Sequence, residues 1–313
     1  MNSMKVNYKE SATGRQITKW YKAKGRNNLP WRENITPYRV WISEIMLQQT
    51  QAKTVVNYFE KFISHYPTFE DFKSASEEDV LSLWKGLGFY RRARNLYRAK
   101  EIILKKFNGK LPNSFENLIT LPGIGKSTAG AILSIAYKLP YPILDANVKR
   151  VLTRLFYKTD SNEKELWDLS SQILDKKNVD DFQQGIMDLG ATVCTPKNAL
   201  CGECPLNKQC ISFSKGELPT ANVKKIKKKN VYLEFEIYEK NQKIFLVKNN
   251  QLGFWDGLWI MPIAKTKQLK TEIIHKLSHR NLHISFANRS KDELKSEGTV
   301  SYTHLRAHET VSH

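Results

Sequence analysis

Apolar residues recur every three or four positions through most of the first two thirds of the chain, with polar residues between them. This spacing is typical of amphipathic α-helices, each of which buries one face. Proline and glycine, as in Tyr66-Pro67 and Pro122-Gly123, interrupt the pattern and mark helix ends. The pattern predicts helices over 54–66, 78–85, 92–107, 127–137, 148–157, 164–174 and 182–190.

The pattern changes in the last third of the chain. Residues 231–240 and 242–250 alternate apolar and polar positions, which predicts a β-hairpin. The stretch 220–230 before them contains five lysines and no acid, as expected for a solvated linker. We therefore expect a mainly α-helical domain over 11–215, a basic linker over 216–230, and then a smaller domain that contains β-structure.

Composition and charge narrow the kind of protein. A hydrophobic fraction of 41% in 313 residues is enough to build cores and excludes a wholly disordered chain. We find no apolar run long enough to span a membrane and no apolar stretch of a signal peptide at the start, so we expect a cytoplasmic protein. The formal charge of +19 favours a polyanionic partner, with nucleic acid ahead of an anionic membrane surface.

The chain has four cysteines, and all of them lie within seventeen residues, in the spacing C-x6-C-x2-C-x5-C. They are Cys194, Cys201, Cys204 and Cys210. A disulfide framework would spread its cysteines to close long loops, whereas four thiolates in one short loop indicate a metal site. Sulfur ligands alone suit either tetrahedral zinc or an iron–sulfur cluster, and the spacing leaves both open.

A carboxyl on an apolar helix face is the first candidate for chemistry. If residues 39–51 form a helix, Val40, Trp41 and Leu47 share a face with Glu44. No Lys or Arg lies one turn away, so burial should raise the pKa of Glu44 and make it a proton donor near neutral pH. The alternative is a helix register that lets Glu44 reach solvent or a buried hydrogen bond.

A second carboxyl, Asp145, precedes the apolar stripe of the helix predicted over 148–157. The helix dipole and the free N–H groups at the helix start should hold this carboxyl ionised, although a simple N-cap has the same sequence pattern. Together Glu44 and Asp145 offer one protonated and one ionised carboxyl, which is the pairing used to cleave glycosidic bonds.

Two further segments suggest contacts with nucleic acid. The stretch 121–130 (LPGIGKSTAG) predicts a tight hairpin whose backbone N–H groups can hold a phosphate, unless it is an ordinary glycine turn. In 86–95 (GLGFYRRARN), Phe89 and Tyr90 stand beside three arginines. An exposed aromatic there suits a wedge into a base stack, with a phosphate clamp formed by Arg91, Arg92 and Arg94, unless the rings pack inward. Trp31 and Arg32 likewise could stack on a base or cap the core.

These motifs together resemble the adenine DNA glycosylase family, within the helix-hairpin-helix base-excision repair glycosylases. The resemblance covers about residues 14–215. It rests on Leu29–Arg32, Trp41–Thr50, Gly86–Gly88, the hairpin 121–130, Ile143–Asp145, Asn147-Val148, Met187–Gly190 and the four cysteines.

The resemblance implies a role for each matching residue. Glu44 would protonate the adenine leaving group, Asp145 would stabilise the oxocarbenium-like sugar, and Asn147 and Ser127 would support them. The four cysteines would hold one [4Fe–4S] cluster. Contacts with DNA or the flipped base would come from Leu29, Trp31, Arg32, Leu47, Gln48, Gln49, Gly88, Phe89, Tyr90, Arg91, Gly123, Gly125, Lys126 and Gln184.

Two departures from related sequences are informative. Endonuclease III-like enzymes carry a nucleophilic lysine in the helix after the hairpin, where this chain has Ser127, so we expect a monofunctional glycosylase. Ala146 stands where the family has glycine, so the backbone there should avoid the left-handed region that alanine tolerates poorly.

A weaker resemblance, over about 231–287, is to the MutT-like (Nudix-related) domain that recognises 8-oxoguanine, with Ser278 and His279 as candidate contacts. We expect a partial domain of this α+β type over 231–298 and an atypical, non-native tail over 299–313. The implied partner is double-stranded DNA with adenine:8-oxoguanine or adenine:guanine mispairs. The protein would act as a monomer associated with the nucleoid.

Overall fold

The structure is a computed structural model that describes residues 10–159, 162–219, 228–240, 243–255, 257–264, 271–277, 280–289 and 301–303. The chain divides into two units, Met1–Val223 and Lys224–His313. The point of division lies inside the basic linker predicted from the sequence. We find no helix among the described residues that is long and apolar enough to cross a membrane.

The first unit is built from helices. In chain order they are α1 (Glu10–Lys24), α2 (Pro37–Leu47), α3 (Ala52–His65), α4 (Phe69–Phe72), α5 (Glu77–Leu83), α6 (Arg91–Phe107), α7 (Phe115–Leu118), α8 (Lys126–Ala131), α9 (Ala146–Leu155), α10 (Glu163–Gln172), α11 (Val179–Asp188) and α12 (Ile211–Ser214). Turns of π-helix continue α8 over Ile132–Ala136 and α11 over Leu189–Val193. The helices predicted from the apolar spacing are confirmed, each within a few residues of its predicted bounds.

Polar capping residues set where these helices begin. The Thr36 hydroxyl accepts a hydrogen bond from the Arg39 N–H (3.2 Å) at the start of α2, whose first residue is Pro37. Thr68 and Ser76 form capping boxes at the starts of α4 and α5. Each cap satisfies N–H groups that the helix itself cannot pair, so the helix positions follow directly from the sequence.

Buried aromatic and aliphatic side chains join the helices around one core. Trp41, Phe62 and Phe72 are almost fully buried, and the Phe72 ring packs against both of the other two. Trp41 therefore faces the core beside α4, whereas Val40 and Leu47 face the pocket that contains Glu44. The prediction that Trp41 shares the face of Glu44 is wrong for this reason.

The second unit contains a mixed β-sheet. Its strands are β1 (Lys229–Lys240), β2 (Lys243–Lys248), β3 (Trp259–Ile260), β4 (Ile263–Ala264), β5 (Ile273–Lys276), β6 (Arg280–Arg289) and β7 (Ser301–Thr303). The order is β3-β2-β1-β6-β5, with β4 pairing β1 and β7 pairing β2. The antiparallel pair β1–β2 confirms the predicted hairpin, and β1 runs parallel to β6.

Alternation along the central strands builds the small core of this unit. Leu233 of β1 pairs with Ile284 of β6, and Phe235 pairs with Phe286. Leu233, Phe235, Ile284 and Leu282 are buried, and Phe286 packs against them. The period of two therefore separates a core face from an exposed face, as the sequence predicts. Of the predicted tail 299–313, the described part is β7, which pairs antiparallel with β2.

Candidate active site

A cavity of about 960 Å³ in the first unit brings together most of the predicted site residues. This volume lies within the range of ligand pockets in proteins, roughly 300–1,000 Å³. The predicted residues that line it are Leu29, Trp31, Arg32, Glu44, Leu47, Gln48, Gln49, Ser127, Asp145, Asn147 and Gln184. Segments far apart in the sequence therefore converge on one pocket.

Glu44 lies on α2, is partly buried and lines this pocket. The pKa of Glu44 is raised to about 7. Burial is the largest cause, the negative charge of Asp145 adds to it, and the positive charge of Arg32 opposes both. Glu44 is thus a carboxylic acid that still holds its proton near neutral pH, which is the property required of a general acid. The predicted rise in its pKa is confirmed.

Asp145 is the N-cap of α9. One carboxylate oxygen accepts the Val148 N–H (2.7 Å) and the other accepts the Asn147 side-chain amide (3.3 Å). Burial raises the pKa of Asp145 above its usual range and outweighs these hydrogen bonds, which lower it, so the predicted effect of the cap is present but is not the largest one. Because the charge of Asp145 raises the pKa of Glu44, Asp145 is the carboxyl that ionises first.

Asn147 connects Asp145 to the cysteine loop through Arg150. The Arg150 guanidinium donates to Asn147 Oδ1 (2.8 Å), to the Gly190 carbonyl (2.6 Å) and to the Cys194 carbonyl (2.7 Å). A side chain at Gly190 would meet Asn147 Cβ at 2.6 Å, so glycine is needed for this approach. Ala146 has an ordinary helical backbone as the first residue of α9, as predicted.

Ser127 and Gln48 fasten the hairpin segment to the pocket. The Ser127 hydroxyl accepts the Leu144 N–H (3.1 Å), one residue before Asp145. The Gln48 amide donates to the Gly123 carbonyl (3.0 Å) and to the Thr128 hydroxyl (3.2 Å). Gln48 therefore holds the hairpin in place from the end of α2, in addition to lining the pocket.

The two glycines of the hairpin differ in what the fold requires of them. Gly123 has φ of +84°, which favours glycine, and a side chain there would meet Asn95 Cβ at 3.0 Å. Gly125 is exposed, has a negative φ, and a side chain there would meet nothing within 4 Å. The fold itself does not require glycine at 125, so its bare backbone is available to a ligand. Lys126 is exposed nearby, over the Trp167 ring at 4.0 Å.

Helix α2 ends at Leu47, so the prediction of a helix through residue 51 is wrong for its last residues. Gln49 follows with φ of +56°, a left-handed conformation that stops the helix. This turn leaves Gln49 exposed at the pocket, so its predicted contact with DNA stays a prediction.

The aromatic loop after Gly88 also projects outward. Gly88 has φ of +77° and Phe89 φ of +51°, and the Phe89 side chain is 47% exposed. Arg91 is exposed beside it, and Tyr90 is half-buried. Phe89 and Arg91 are therefore both open to solvent, and their roles as a wedge and a phosphate contact stay predictions.

Arg92, in contrast, points inward. Its guanidinium donates to the carbonyls of Ile45 (3.0 Å), Met46 (2.6 Å) and Gln48 (2.6 Å), which are the free carbonyls at the end of α2. Burial lowers the pKa of Arg92 to about 10. Arg94 also pairs with Glu77 (3.0 Å). The expectation that 91, 92 and 94 form one phosphate clamp is therefore wrong, and it is Arg91 that faces solvent.

We expect the Arg92→Met variant to lose about 2–4 kcal/mol of unfolding free energy, because buried carbonyls at the end of α2 lose their donor. The measurement is chemical denaturation of the purified protein. The matched control is Arg91→Met, which should change stability by no more than about 0.5 kcal/mol but weaken DNA binding. Equal stability of the two variants would contradict the inward role of Arg92.

Arg26, Arg32 and Asp188 form an ion cluster at the wall of the pocket. Arg32 Nη1 lies 2.7 Å from Asp188 Oδ2, and Arg26 Nη2 lies 2.5 Å from Asp188 Oδ1. The Arg32 side chain is 6% exposed and sits over the Tyr21 ring at 5.2 Å. Trp31 is buried and packs edge to face against Phe59, so it belongs to the core as well as to the pocket wall.

The four cysteines lie in the loop after α11, partly buried and each unpaired by disulfides. Burial and the charges of Cys194, Cys210 and Cys201 raise the pKa of Cys204 to about 11. Two N–H donors approach the sulfurs: the Leu206 N–H to Cys204 Sγ (3.4 Å) and Arg154 Nη1 to Cys194 Sγ (3.5 Å). Among the described residues, no set of three or more His, Cys, Asp or Glu side chains is arranged around a single metal-ion position.

Comparison with known proteins identifies the family. A sequence model described as the HhH-GPD superfamily base excision DNA repair protein matches residues 42–175. An adenine DNA glycosylase of Buchnera aphidicola subsp. Schizaphis graminum (strain Sg) is 41% identical over 296 residues, covering 86% of this chain and 84% of that protein. The chain belongs to the adenine DNA glycosylase family.

Solved structures confirm the helical fold of this family member. A thermostable thymine-DNA glycosylase is 29% identical with a TM-score of 0.60, and the match covers 64% of this chain and 95% of that one. An endonuclease III in a non-covalent complex with DNA has a TM-score of 0.56 at 22% identity, covering 65% and 94%. The helix-hairpin-helix glycosylase fold is thereby confirmed for the first unit, with a strand-containing region after it.

Three residues that organise the site have roles that the sequence did not predict. Asp188, Arg92 and Arg150 each bind groups on a second element, and none is marked by an unusual pattern along the chain. For Asp188, a usable signal was its position as an acid in the apolar run Met187–Gly190 that matches the adenine DNA glycosylase family. Ser278 and His279, the predicted contacts with the oxidised base, lie outside the described residues.

Proposed function

We propose that this chain removes adenine from double-stranded DNA where adenine is mispaired with 8-oxoguanine or guanine, by hydrolysis of the N-glycosidic bond. The observation that carries the proposal is the pair Glu44 and Asp145 in one cavity, with the pKa of Glu44 raised to about 7. That the excised base is adenine is inferred from the adenine DNA glycosylases to which the chain is similar.

The geometry supports a stepwise reaction. A flipped adenine enters the cavity between the apolar side chains of Leu29 and Leu47. The Glu44 carboxylic acid donates its proton to a ring nitrogen of adenine, so the base leaves as a neutral molecule when the bond to the sugar breaks. The Asp145 carboxylate, held by the Val148 N–H, stabilises the positive charge that develops on the sugar.

The same residues complete the hydrolysis. Once Glu44 has lost its proton, its carboxylate accepts a proton from the water that attacks the anomeric carbon. The products are free adenine and an abasic site, and Glu44 is again protonated. Asn147 keeps Asp145 oriented, because its amide donates to one carboxylate oxygen while Arg150 holds its carbonyl.

This reaction sets the pH dependence of excision. Glu44 is active in its protonated form, so the single-turnover rate should fall as pH rises through about 7, approaching tenfold per pH unit. The measurement is the rate of adenine release with enzyme in excess, across a pH series at constant ionic strength. A rate that stays constant to about pH 9 would contradict the assignment of Glu44 as the acid.

The chain lacks an amine at the position that forms a Schiff base in endonuclease III-like enzymes. Ser127 lies there, and its hydroxyl is engaged by the Leu144 N–H. We therefore expect a monofunctional glycosylase whose abasic product stays intact. Borohydride treatment during turnover should give little covalent protein–DNA adduct, and a strong adduct would show that another amine serves as nucleophile.

We propose that Cys194, Cys201, Cys204 and Cys210 hold one [4Fe–4S] cluster. The support is the C-x6-C-x2-C-x5-C spacing, which resembles that of the family, together with an all-sulfur ligand set, which suits an iron–sulfur cluster. The N–H groups that donate to Cys204 and Cys194 would stabilise the charge on those sulfurs. When bound, the cluster would pin the loop that receives Arg150 and Arg154 from α9.

For the second unit we propose a MutT-like domain that contacts 8-oxoguanine on the opposite strand. The support is the resemblance of 231–287, with Ser278 and His279 as contacts, together with the sheet found there. We further propose that the protein works as a monomer on the nucleoid.

The proposed function is tested by base release from matched duplexes. Purified full-length protein is offered adenine:8-oxoguanine, adenine:guanine and thymine:guanine mispairs and an adenine:thymine control under single-turnover conditions. We expect adenine release from the first two and none from the others. Release of thymine in preference to adenine would favour the activity named for the thymine-DNA glycosylase of similar fold.

A further inference from the structure

We propose that Asp188 is a positioning residue that sets the acidity of Glu44 through Arg32. The proposal deepens the proposed function and rests on it, because it concerns the general acid of that reaction. Asp188 does not itself line the cavity, but both of its arginine partners do.

The Asp188 carboxylate is fully buried at the end of α11 and is saturated with donors. Oδ1 accepts Arg26 Nε (2.9 Å), Arg26 Nη2 (2.5 Å) and Arg32 Nη2 (2.9 Å). Oδ2 accepts the Arg26 backbone N–H (2.8 Å) and Arg32 Nη1 (2.7 Å). One buried carboxylate is therefore shared by two guanidinium groups.

This sharing controls how much positive charge faces Glu44. Two guanidinium groups and one carboxylate leave a net charge of one at the pocket wall. Arg32 is the cation that favours the ionised form of Glu44, and its charge is partly neutralised by Asp188. The bonds and charges of Arg32 and Arg26 outweigh the effect of burial and hold the pKa of Asp188 below its usual range. Asp188 is therefore ionised wherever Glu44 titrates.

Without the Asp188 charge, Arg32 would remain in the wall of the cavity that Glu44 also lines. Its Nη1 also donates to the Arg26 carbonyl (3.0 Å), and its guanidinium rests on the Tyr21 ring. Its Nε is buried without a hydrogen-bond partner among the described residues. Without Asp188, the charge of this guanidinium would no longer be partly neutralised, and it would act in full on Glu44, which lines the same cavity.

The other charged groups on the elements that pack near Glu44 are the same in the wild-type protein and in variants at Asp188 or Arg26. They are Asp145 at the start of α9, Lys53 of α3 at the cavity, Arg92 of α6 at the end of α2, and Lys126 of α8, which lies over Trp167. None of them contacts Asp188 in the described part of the chain, so substitutions at Asp188 or Arg26 leave them in place.

The test is the pH dependence of single-turnover adenine release by the wild-type protein, Asp188→Asn and Arg26→Gln. Since Glu44 acts as an acid, a lower pKa moves the falling limb of the profile to lower pH. We expect Asp188→Asn to move that limb down by at least about 0.5 pH unit, which is about a threefold change at a fixed basic pH. A uniform loss of rate with the limb unmoved would show that Asp188 is merely structural and overturn the proposal.

Arg26→Gln decides the matter where Asp188→Asn does not fold, as judged by circular dichroism. Removing the competing guanidinium leaves Asp188 to neutralise Arg32 alone, so the limb should move to higher pH by about 0.3 unit or more. An unchanged or lowered limb would then overturn the proposal. If the wild-type protein releases no adenine, the proposed function fails; carboxyl-carbon NMR of Glu44 in the same variants would still decide the role of Asp188.

Discussion

Replacing Glu44 by glutamine should lower the single-turnover rate of adenine release by about 10³-fold, because general acid catalysis contributes roughly 10²–10⁴. That loss corresponds to about 4 kcal/mol of transition-state stabilisation. Glutamine has the size of glutamate and fills the same place on α2, but it has no acidic proton to give to the base. Binding of the mispaired duplex should persist, since phosphate contacts come from other residues.

Stability separates a catalytic loss from misfolding. Burial places the pKa of Glu44 in the folded protein at about 7, above its ordinary 4.5, so folding stability declines as pH rises between those values. Glu44→Gln removes that decline, and the variant should unfold at a temperature no lower than the wild-type protein at about pH 8. Glu116→Gln, at an exposed position on α7, is the matched control and should leave the rate unchanged. Excision by Glu44→Gln within tenfold of wild type would reject Glu44 as the acid.

The sequence was sufficient for features that depend on local order. Helix positions follow from apolar spacing and capping residues, and Asp145 at the start of α9 follows from the same reasoning. The raised pKa of Glu44 was also predictable, since a carboxyl on an apolar helix face loses water wherever the helix packs. These are properties of a segment and its immediate neighbours.

Charges that act across the fold were not predictable in the same way. Arg91 and Arg92 are adjacent in the sequence, yet one is exposed and the other caps α2 from forty-odd residues away. The basic composition suggested phosphate contacts for both, because a sequence does not show which arginines meet buried carbonyls. The pKa of Asp145 has the same origin: its cap is local, but the burial that raises its pKa comes from distant segments.

The convergence of the pocket also depends on tertiary packing. Glu44 and Asp145 are about one hundred residues apart. The Gln48 side chain bonds the end of α2 to the hairpin and to α8, and Ser127 of α8 accepts the N–H of Leu144, just before α9. The resemblance to the adenine DNA glycosylases implied that the two carboxyls act at one site, because a resemblance to a family also implies the family's fold. Physical reasoning from isolated segments could propose the two carboxyls but not their proximity.

Asp145→Asn should lower the rate of adenine release by about 10²–10³-fold, the usual cost of removing one group that stabilises transition-state charge. Asparagine caps helices as well as aspartate does, so α9 should keep its start and the hydrogen bond from the Val148 N–H. The variant therefore removes the negative charge with little change to the fold.

The pH profile distinguishes this charge effect from displaced geometry. The charge of Asp145 is one cause of the raised pKa of Glu44, so Asp145→Asn should also move the falling limb of the profile to lower pH. Asp79→Asn makes the same chemical change at the capping box of α5, away from the cavity, and should leave both rate and profile unaltered. A lowered rate with an unmoved limb would mean that Asp145 serves the sugar but does not influence Glu44. Excision within threefold of wild type would remove Asp145 from the mechanism, leaving Glu44 as the only carboxyl of the pair with a chemical role.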